Sequence, residues 1–142
     1  MLVKLRNIIR EIVIYLQWFV YVKLYKMNID KSAKISFSSK LDKTNPKGVY
    51  IGSESYIAGG AIVFTHDYSR AIRVDTHIGE KCFIGANVIV MAGINIGNEV
   101  IVGSGSVVTK DIQSNCIVVG NPARIIKENI KTKKYGQLVK EQ

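Results

Sequence analysis

Aliphatic residues recur in the middle of this chain at a strict spacing of six, and this period constrains the fold more than any other feature. Glycine directly follows four of the six positions in the longest run. An α-helix repeats every 3.6 residues and a half-buried strand every two, so neither element explains the spacing. A fixed period shared by many short segments is typical of stacked units that cannot bury their apolar sides alone. The longest run consists of Ile78, Ile84, Val90, Ile96, Val102 and Val108.

The same period extends toward the N-terminus and is broken at three places. The earlier runs are Ile29, Ile35 and Leu41, and then Ile51, Ile57 and Val63. The breaks follow Leu41, Val63 and Val108, after which the next aliphatic position comes ten, fifteen and ten residues later. Each break follows a third six-residue unit. We therefore interpret the pattern as a coil of three units per turn with a triangular cross-section, and the breaks as insertions that all leave from one edge of the prism.

The composition of the chain narrows its class and its partners. The 142 residues suit one domain, and 20 Lys and Arg against 11 Asp and Glu give a formal charge of +9. No helix-turn-helix, zinc-finger or RNA-binding motif accompanies this charge, so we expect no nucleic-acid partner. Cys82 and Cys116 are lone thiols without CxxC spacing, which fits a reducing, cytoplasmic setting.

An apolar run near the N-terminus raises the question of membrane contact. Residues 12–22, IVIYLQWFVYV, lie between Arg10 and Lys23. They are too few to span a bilayer, which needs about 20 apolar residues. Three interpretations stay open: a helix packed on the domain or between subunits, an interfacial helix that contacts a membrane surface through residues 2–25, and the core of a cleaved signal.

The repeat divides the chain into three parts. We expect an N-terminal apolar helix over residues 1–28, the repeat domain over residues 29–126, and a basic C-terminal tail over residues 127–142. The longest break is an excursion loop at residues 64–77, which leaves the prism and returns to it. The tail is expected to be short and helical.

Two segments carry a resemblance to a known family. They are IGANVIVMAGINIGNEVIVGSGSVVTKDI and the more specific VVGNPARII. Over about residues 29–127 the chain resembles the hexapeptide-repeat acyltransferases, in particular the branch that O-acetylates sugars and surface polysaccharides. The resemblance implies an all-β fold, a left-handed parallel β-helix shaped as a triangular prism. It also implies a homotrimer with active sites between subunits and acetyl-CoA as the acyl donor.

His66 is the candidate catalytic base. It lies in the sequence FTHDYSR, where the chain leaves the prism. Acetyl transfer to an alcohol needs a base, and a neutral imidazole can take the hydroxyl proton near pH 7. The resemblance gives this role to a histidine at such a corner, and His66 matches it. The other histidine, His77, is interpreted as a surface or loop-anchoring residue. With two histidines, the three-histidine zinc site of the carbonic anhydrases that share this prism is not expected, and we expect no metal.

Five residues near His66 are candidates for binding the acceptor or orienting the imidazole. They are Asp42, Asn45, Asp67, Arg70 and Arg73. The stacked coils place Asp42 and Asn45 beside the base, one turn below it, and Asp67 is an alternative partner for the ring. An Asp and an Asn before a proline turn are equally well explained as turn formers. The two arginines of the excursion would suit an acidic or phosphate-linked glycan.

The resemblance also assigns positions that bind the donor. The backbone N–H of Ala86 matches a group that faces the thioester and its developing oxyanion. Ser104 matches a contact to pantetheine. The phosphates of CoA require cationic groups in some form. The positions matched to the nucleotide and phosphate end are Thr109, Lys110, Arg124 and Lys127.

These features together predict an acetyl-CoA-dependent O-acetyltransferase that acetylates a sugar hydroxyl by direct transfer, in capsule or cell-surface polysaccharide biosynthesis. The acceptor is a sugar or glycan, and no acyl-enzyme is expected. The alternatives are transfer to an amino-sugar nitrogen, transfer to serine, and a non-catalytic β-helix scaffold. We expect the protein in the cytoplasm, either free or peripheral at the inner face of the cytoplasmic membrane.

Overall fold

Short strands of the chain stack into three sheets around a common core. A computed structural model describes residues 1–140. Sheet A contains β1 (Asn28–Ile29), β4 (Val49–Ile51), β9 (Thr76–Ile78) and β12 (Asn95–Ile96). Sheet B contains β2 (Lys34–Ile35), β5 (Tyr56–Ile57), β10 (Phe83–Ile84), β13 (Ile101–Val102), β15 (Cys116–Val119) and β16 (Arg124–Glu128). Sheet C contains β3 (Lys40–Leu41), β6 (Ile62–Val63), β11 (Ile89–Val90) and β14 (Val107–Val108), and a separate hairpin contains β7 (His66–Asp67) and β8 (Ile72–Arg73).

Successive six-residue units fall on successive sheets, and the fourth unit returns to the first sheet. Ile29 pairs with Ile51 in sheet A, and Ile51 pairs with Ile78 on the next coil. The same parallel register joins Leu41 to Val63 in sheet C. The expected coil of three units per turn is therefore confirmed, and each unit supplies one face of the prism.

The aliphatic residues that set the period point into the prism. Ile57, Ile84 and Val102 are fully buried and stack along the inner face of sheet B. Val88 and Val100 come two residues before the aliphatic positions Val90 and Val102, and both are also fully buried. Full burial of one such side chain contributes about 1.5–3 kcal/mol, so these stacks are the main source of stability in the prism.

The third break in the period is a shortening of the coil. Ile112 comes only four residues after Val108, yet it takes the next place in sheet A and bridges to Ile96. Its N–H donates to the carbonyl of Asn95 at 2.9 Å, and the carboxylate of Asp111 accepts the N–H of Asn95 at 2.8 Å. The side-chain oxygen of Asp111 thus accepts the N–H of Asn95 in place of a backbone carbonyl. The interpretation of three insertions is wrong here: two insertions leave from the edge between sheets C and A.

The C-terminal tail is extended, so the expectation of a helical tail is wrong apart from one 3₁₀ turn at Lys134–Gly136. β16 runs antiparallel to β15 at the edge of sheet B. Beyond it, Thr132 and Leu138 form an isolated antiparallel bridge around the turn. An uncovered β15 would expose unpaired backbone N–H and C=O groups, and the returning chain satisfies them. The expected boundary between the repeat domain and the tail, after residue 126, falls inside β16. The tail therefore continues directly from the repeat.

Helix α1 (Leu2–Phe19) continues into a π-helical turn, Val20–Leu24, and packs against the first coils of the prism. Tyr21 is buried in the core, and the indole N–H of Trp18 donates to the carbonyl of Ile29 at 3.2 Å. Within residues 1–140, no helix has the length and apolar character needed to cross a membrane.

Glycine at position 79 lets two coils approach closely, and this contact gives a first testable prediction. A Cβ atom at Gly79 would lie 2.7 Å from the carbonyl carbon of Gly97, whereas at Gly59 the nearest atom is the Ser38 hydroxyl, at 2.9 Å. The hydroxyl can rotate away, but the backbone cannot. We expect Gly79→Ala to lower the free energy of unfolding by about 1–3 kcal/mol, and Gly59→Ala by less than about 1 kcal/mol. Chemical denaturation measures both, and equal losses would contradict the argument.

Candidate active site

The edge between sheets C and A carries both insertions, and it brings Asp42 and His66 together. Leu41 pairs with Val63, so the residues that follow these two leave the prism one above the other. Asp42 begins the first insertion, and His66 lies in β7 near the start of the second. The Nδ1 atom of His66 contacts Oδ2 of Asp42 as a hydrogen-bonded pair.

Asp42 is buried, and three backbone N–H groups point at its carboxylate. Those of Thr65 and His66 donate to Oδ2 at 2.8 and 3.1 Å, and that of Thr44 donates to Oδ1 at 2.9 Å. Burial alone would raise the pKa of this carboxyl group. The hydrogen bonds from Thr65, the His66 ring and Thr44 outweigh burial, so the pKa of Asp42 is lowered from its ordinary value. Asp42 is therefore ionised at neutral pH.

The imidazole of His66 has one buried nitrogen and one accessible nitrogen. An ionised carboxylate only accepts hydrogen bonds, so Nδ1 carries the proton and Nε2 of the neutral ring has a free lone pair. Among residues 1–140, no group forms a hydrogen bond with Nε2. The His66 side chain is 28% exposed, whereas that of Asp42 is 3% exposed. An accessible nitrogen on a ring held by a buried carboxylate is the arrangement that a general base requires.

Partly buried polar contacts hold the loop that carries His66. The amide nitrogen of Asn45 donates to the carbonyls of Thr65 at 3.0 Å and Val74 at 3.4 Å. The Thr65 hydroxyl donates in return to the carbonyl of Asn45 at 2.6 Å. Asn45 therefore ties the two insertions together. Sequence reasoning missed Thr65, which is fully buried. Its only signal in the sequence is its place two residues after the last aliphatic position before the excursion.

The excursion forms the hairpin of β7 and β8, which carries the other acceptor candidates. The Ser69 hydroxyl and the Arg70 guanidinium each donate to the Asp67 carboxylate at 2.6 Å. These two bonds, Ser69 first, lower the pKa of Asp67. Asp42, and not Asp67, is thus the carboxylate that contacts the imidazole. Arg73 pairs opposite His66 in the hairpin, and its side chain is exposed.

Ala86 and Ser104 lie at a different edge of the prism. Both follow strands of sheet B, at the edge between sheets B and C, on successive coils. The N–H of Gly105 donates to the carbonyl of Ala86 at 2.8 Å, which joins the two coils. Within one chain, the full width of sheet C therefore separates Ala86 from His66.

The four residues matched to the nucleotide end of the donor are all exposed. Thr109 and Lys110 follow β14 at the edge that also carries His66, two coils farther along. Arg124 and Lys127 belong to β16, at the edge of sheet B. None of these three cations forms an ion pair with another residue in the described range 1–140.

The cysteines and the second histidine are built into the scaffold. Cys82 and Cys116 are free and buried. Burial raises the pKa of the Cys82 thiol to about 11 and also raises the pKa of Cys116. A nucleophilic cysteine needs thiolate character and access, which neither has. His77 lies in β9 and stacks on Tyr50 with ring centroids 4.3 Å apart.

Parts of this chain are similar in sequence to known proteins. The model described as bacterial transferase hexapeptide (six repeats) matches residues 75–110. The bifunctional protein GlmU of Oleidesulfovibrio alaskensis is 36% identical over 99 residues, which make up 70% of this chain and 20% of that protein. The chain spans 20%, 24% and 64% of the lengths of three curated relatives that it matches.

Solved structures share the same coil. The hexapeptide-repeat containing acetyltransferase VCA0836 from Vibrio cholerae matches with a TM-score of 0.63 at 21% identity, over 79% of this chain and 78% of that chain. A maltose O-acetyltransferase from Clostridium difficile 630 matches with a TM-score of 0.56 at 27% identity, over 71% and 68%. The fold is thus the expected left-handed parallel β-helix of hexapeptide repeats. The match to the family model over residues 75–110 and the shared coil relate this chain to the hexapeptide-repeat transferases.

Proposed function

We propose that this protein is an acetyl-CoA-dependent O-acetyltransferase that acetylates a sugar hydroxyl. The observation that carries the proposal is the accessible imidazole of His66, held by the buried carboxylate of Asp42. The match of residues 75–110 to the transferase family model supports acyl transfer, and the likeness to a maltose O-acetyltransferase supports a carbohydrate acceptor. Capsule or cell-surface polysaccharide assembly is the setting that we propose for this reaction.

The proposed reaction is direct transfer in one site. Nε2 of His66 takes the proton of the acceptor hydroxyl as its oxygen attacks the thioester carbonyl carbon. A C–O bond forms, and the carbonyl oxygen gains a negative charge that the backbone N–H of Ala86 stabilises. The C–S bond then breaks, and the CoA thiolate leaves and receives the proton from His66. Asp42 holds the ring in place and stabilises its protonated form.

The separation of His66 and Ala86 supports a site shared between subunits. One face of the prism lies between them, and six extended residues span about 20 Å, too far for a single thioester to meet both. A second copy can bring its Ala86 edge to the His66 edge of the first. Because this contact joins two different edges, each chain of subunits keeps one edge unpaired at either end until the subunits close into a ring. We propose a homotrimer, the ring that the family resemblance implies.

Exposed cations supply the proposed site for the donor nucleotide. CoA carries a 3′-phosphate and a diphosphate, and arginine and lysine bind such groups through charge-assisted hydrogen bonds. Lys110, Arg124 and Lys127 are exposed, and Thr109 is next to the first of them. VCA0836, whose fold this chain shares, is known as a complex with acetyl coenzyme A. Ser104, also exposed, is proposed to contact the pantetheine arm.

The hairpin of β7 and β8 is proposed to contact the acceptor. Arg73 lies opposite His66 and is exposed, and Arg70 is held in the hairpin by Asp67. Two guanidinium groups at the mouth of the site would complement an acidic or phosphate-linked glycan. Replacing both arginines with alanine is expected to raise the KM for an anionic acceptor while leaving the KM for acetyl-CoA unchanged. An unchanged acceptor KM would remove the hairpin from acceptor binding.

Release of free CoA thiol from acetyl-CoA, measured with a panel of acceptors, tests the function itself. The panel contains nucleotide sugars, lipid-linked sugars, oligosaccharides, amino sugars and serine. We expect the highest kcat/KM with an acceptor that offers only sugar hydroxyl groups. Preference for an amino sugar or for serine would replace O-acetylation of a sugar by one of these reactions. Failure to bind CoA in a calorimetric titration would leave the chain as a β-helix scaffold.

A further inference from the structure

Helix α1 has two apolar faces, and only one of them packs on the prism. Ile14, Gln17, Trp18 and Tyr21 follow one another at helical spacing, and each of them is partly or fully buried. The indole N–H of Trp18 is anchored on the carbonyl of Ile29 at 3.2 Å. This face fixes the direction of the helix on the domain.

The opposite face of α1 is an apolar stripe that no residue in the described range 1–140 covers. Its members are spaced three and four residues apart, which places them on one side of the helix. Each of them is between 43% and 80% exposed. Phe37, 75% exposed, extends this surface, because it lines a groove together with Val13, Leu16 and Val20. The outer stripe consists of Leu2, Leu5, Ile9, Ile12, Leu16 and Phe19.

The charges of α1 and the residues directly after it are nearly all positive. The first 26 residues contain five cations and a single acid. The acid, Glu11, lines one groove on the side turned toward the prism with Ile14 and Trp18, and one of the cations, Arg10, lines another there with Ile14. The cations are Lys4, Arg6, Arg10, Lys23 and Lys26.

An anionic bilayer fits this surface better than a second copy of the helix does. Ile8, Val13 and Val20 flank the outer stripe and are also exposed and apolar, whereas helices that pair with each other usually carry complementary charges at such positions. Bringing identical cationic helices together would place like charges side by side. Anionic headgroups supply the missing negative charge, and the acyl boundary accepts a broad apolar face.

We propose that α1 lies flat in the surface of an anionic bilayer, with the outer stripe at the acyl boundary and its cations at the level of the headgroups. The inference rests on α1 and its flanking residues and is independent of the proposed acetyl transfer. It also places the candidate active site near the lipid surface. The ammonium group of Lys43, next to Asp42, lies 5.4 Å from the ring centre of Tyr25, directly after the helical segment.

Vesicle co-sedimentation of the full chain tests the proposal with a matched pair of variants. The vesicles contain phosphatidylcholine alone or phosphatidylcholine with phosphatidylglycerol. Ile9→Asp and Asn7→Asp each place one negative charge at an exposed position of α1, but only Ile9 belongs to the outer stripe. We expect the wild type to bind anionic vesicles at least about 10-fold more tightly than neutral ones. Ile9→Asp should weaken this binding about 10- to 100-fold, and Asn7→Asp only a few-fold.

Two results would overturn the proposal, and a change in mass would then identify the occupant of the outer stripe. Equal losses in the two variants would reduce the interaction to charge, without insertion of the outer stripe. No binding of the wild type to either vesicle would exclude the bilayer. If, in addition, Ile9→Asp changed the mass measured by light scattering, the outer stripe would instead pack on a second copy. Leu5→Asp, in an exposed turn away from the prism, repeats the test should Ile9→Asp fail to fold.

Discussion

Replacing His66 with alanine is expected to lower the turnover of acetyl-CoA by about two to four orders of magnitude, the contribution of a positioned general base. The methyl group of alanine cannot take the acceptor proton, and the remaining groups only bind and orient the substrates. The affinity for CoA and the mass of the assembly should persist, because the ring is partly exposed and lies outside the aliphatic core. Steady-state kinetics and a calorimetric CoA titration measure these quantities.

His77→Ala is the matched control for this substitution. It removes the chain's other imidazole, which stacks on Tyr50 and does not contact Asp42. We expect His77→Ala to retain kcat within a few-fold. Near-wild-type activity of His66→Ala would remove His66 from the mechanism, and equal losses in both variants would point to stability instead of chemistry.

Replacing Asp42 with asparagine is expected to lower kcat about 100-fold, with little change in the KM for acetyl-CoA. A neutral amide cannot stabilise the protonated ring, and its NH₂ group can face Nδ1 and reverse the tautomer. The imidazolium that forms during transfer loses its counter-charge, so the loss should appear in kcat and not in the KM for acetyl-CoA. A purely structural role for Asp42 would reduce the amount of folded enzyme and leave kcat per folded active site unchanged.

Asp30→Asn is the matched control for Asp42→Asn. Asp30 directly follows Ile29 as Asp42 follows Leu41, and its carboxylate accepts the N–H of Ser32 at 2.8 Å. It is exposed and contacts no imidazole. The same chemical change there should leave kcat unchanged. Equal effects of the two substitutions on kcat would contradict the assignment of Asp42 as the positioning residue.

Acid denaturation gives a second measure of Asp42. Because its pKa is lowered in the folded chain, its contribution to stability is complete above the ordinary value of 3.8 and is lost as the pH falls through the lowered value. Asp42→Asn should therefore be less stable than the wild type at neutral pH, by about 1–3 kcal/mol, and the difference should shrink in acid. A difference that does not depend on pH would mean that the ionised carboxylate adds no stability.

The repeat itself was readable because every unit meets the same physical demand. Each unit of six residues must turn one corner and place one aliphatic side chain inside, so the period appears directly in the sequence. The same regularity predicts the observed register of Leu41 with Val63, and hence the place of His66 one coil above residues 42–45. Before Ile112 the carboxylate of Asp111 takes the place of a backbone carbonyl and the coil is shorter. The spacing of the aliphatic residues alone does not reveal this shortening.

The partners of the candidate base were not readable in the same way. Asp42, Asn45 and Asp67 are all polar residues near a loop, and their sequence positions suit turns as well as a site. Only the folded structure shows which contact each of these three residues makes. Asp42 contacts the imidazole, Asn45 joins the two insertions, and Asp67 pairs with Arg70. The course of the tail was equally hidden, because the open edge of β15 exists only after the last coil has formed.

The sequence alone determined the six-residue coil, its division into three faces and the position of His66 at the edge where the chain leaves the prism, because a repeated burial pattern is a local property. The tertiary structure decided which carboxylate holds the imidazole, which of the interruptions shortens the coil, and which face of α1 remains exposed. These depend on atoms brought together from distant parts of the chain, and the distances between them are set only when the coils stack.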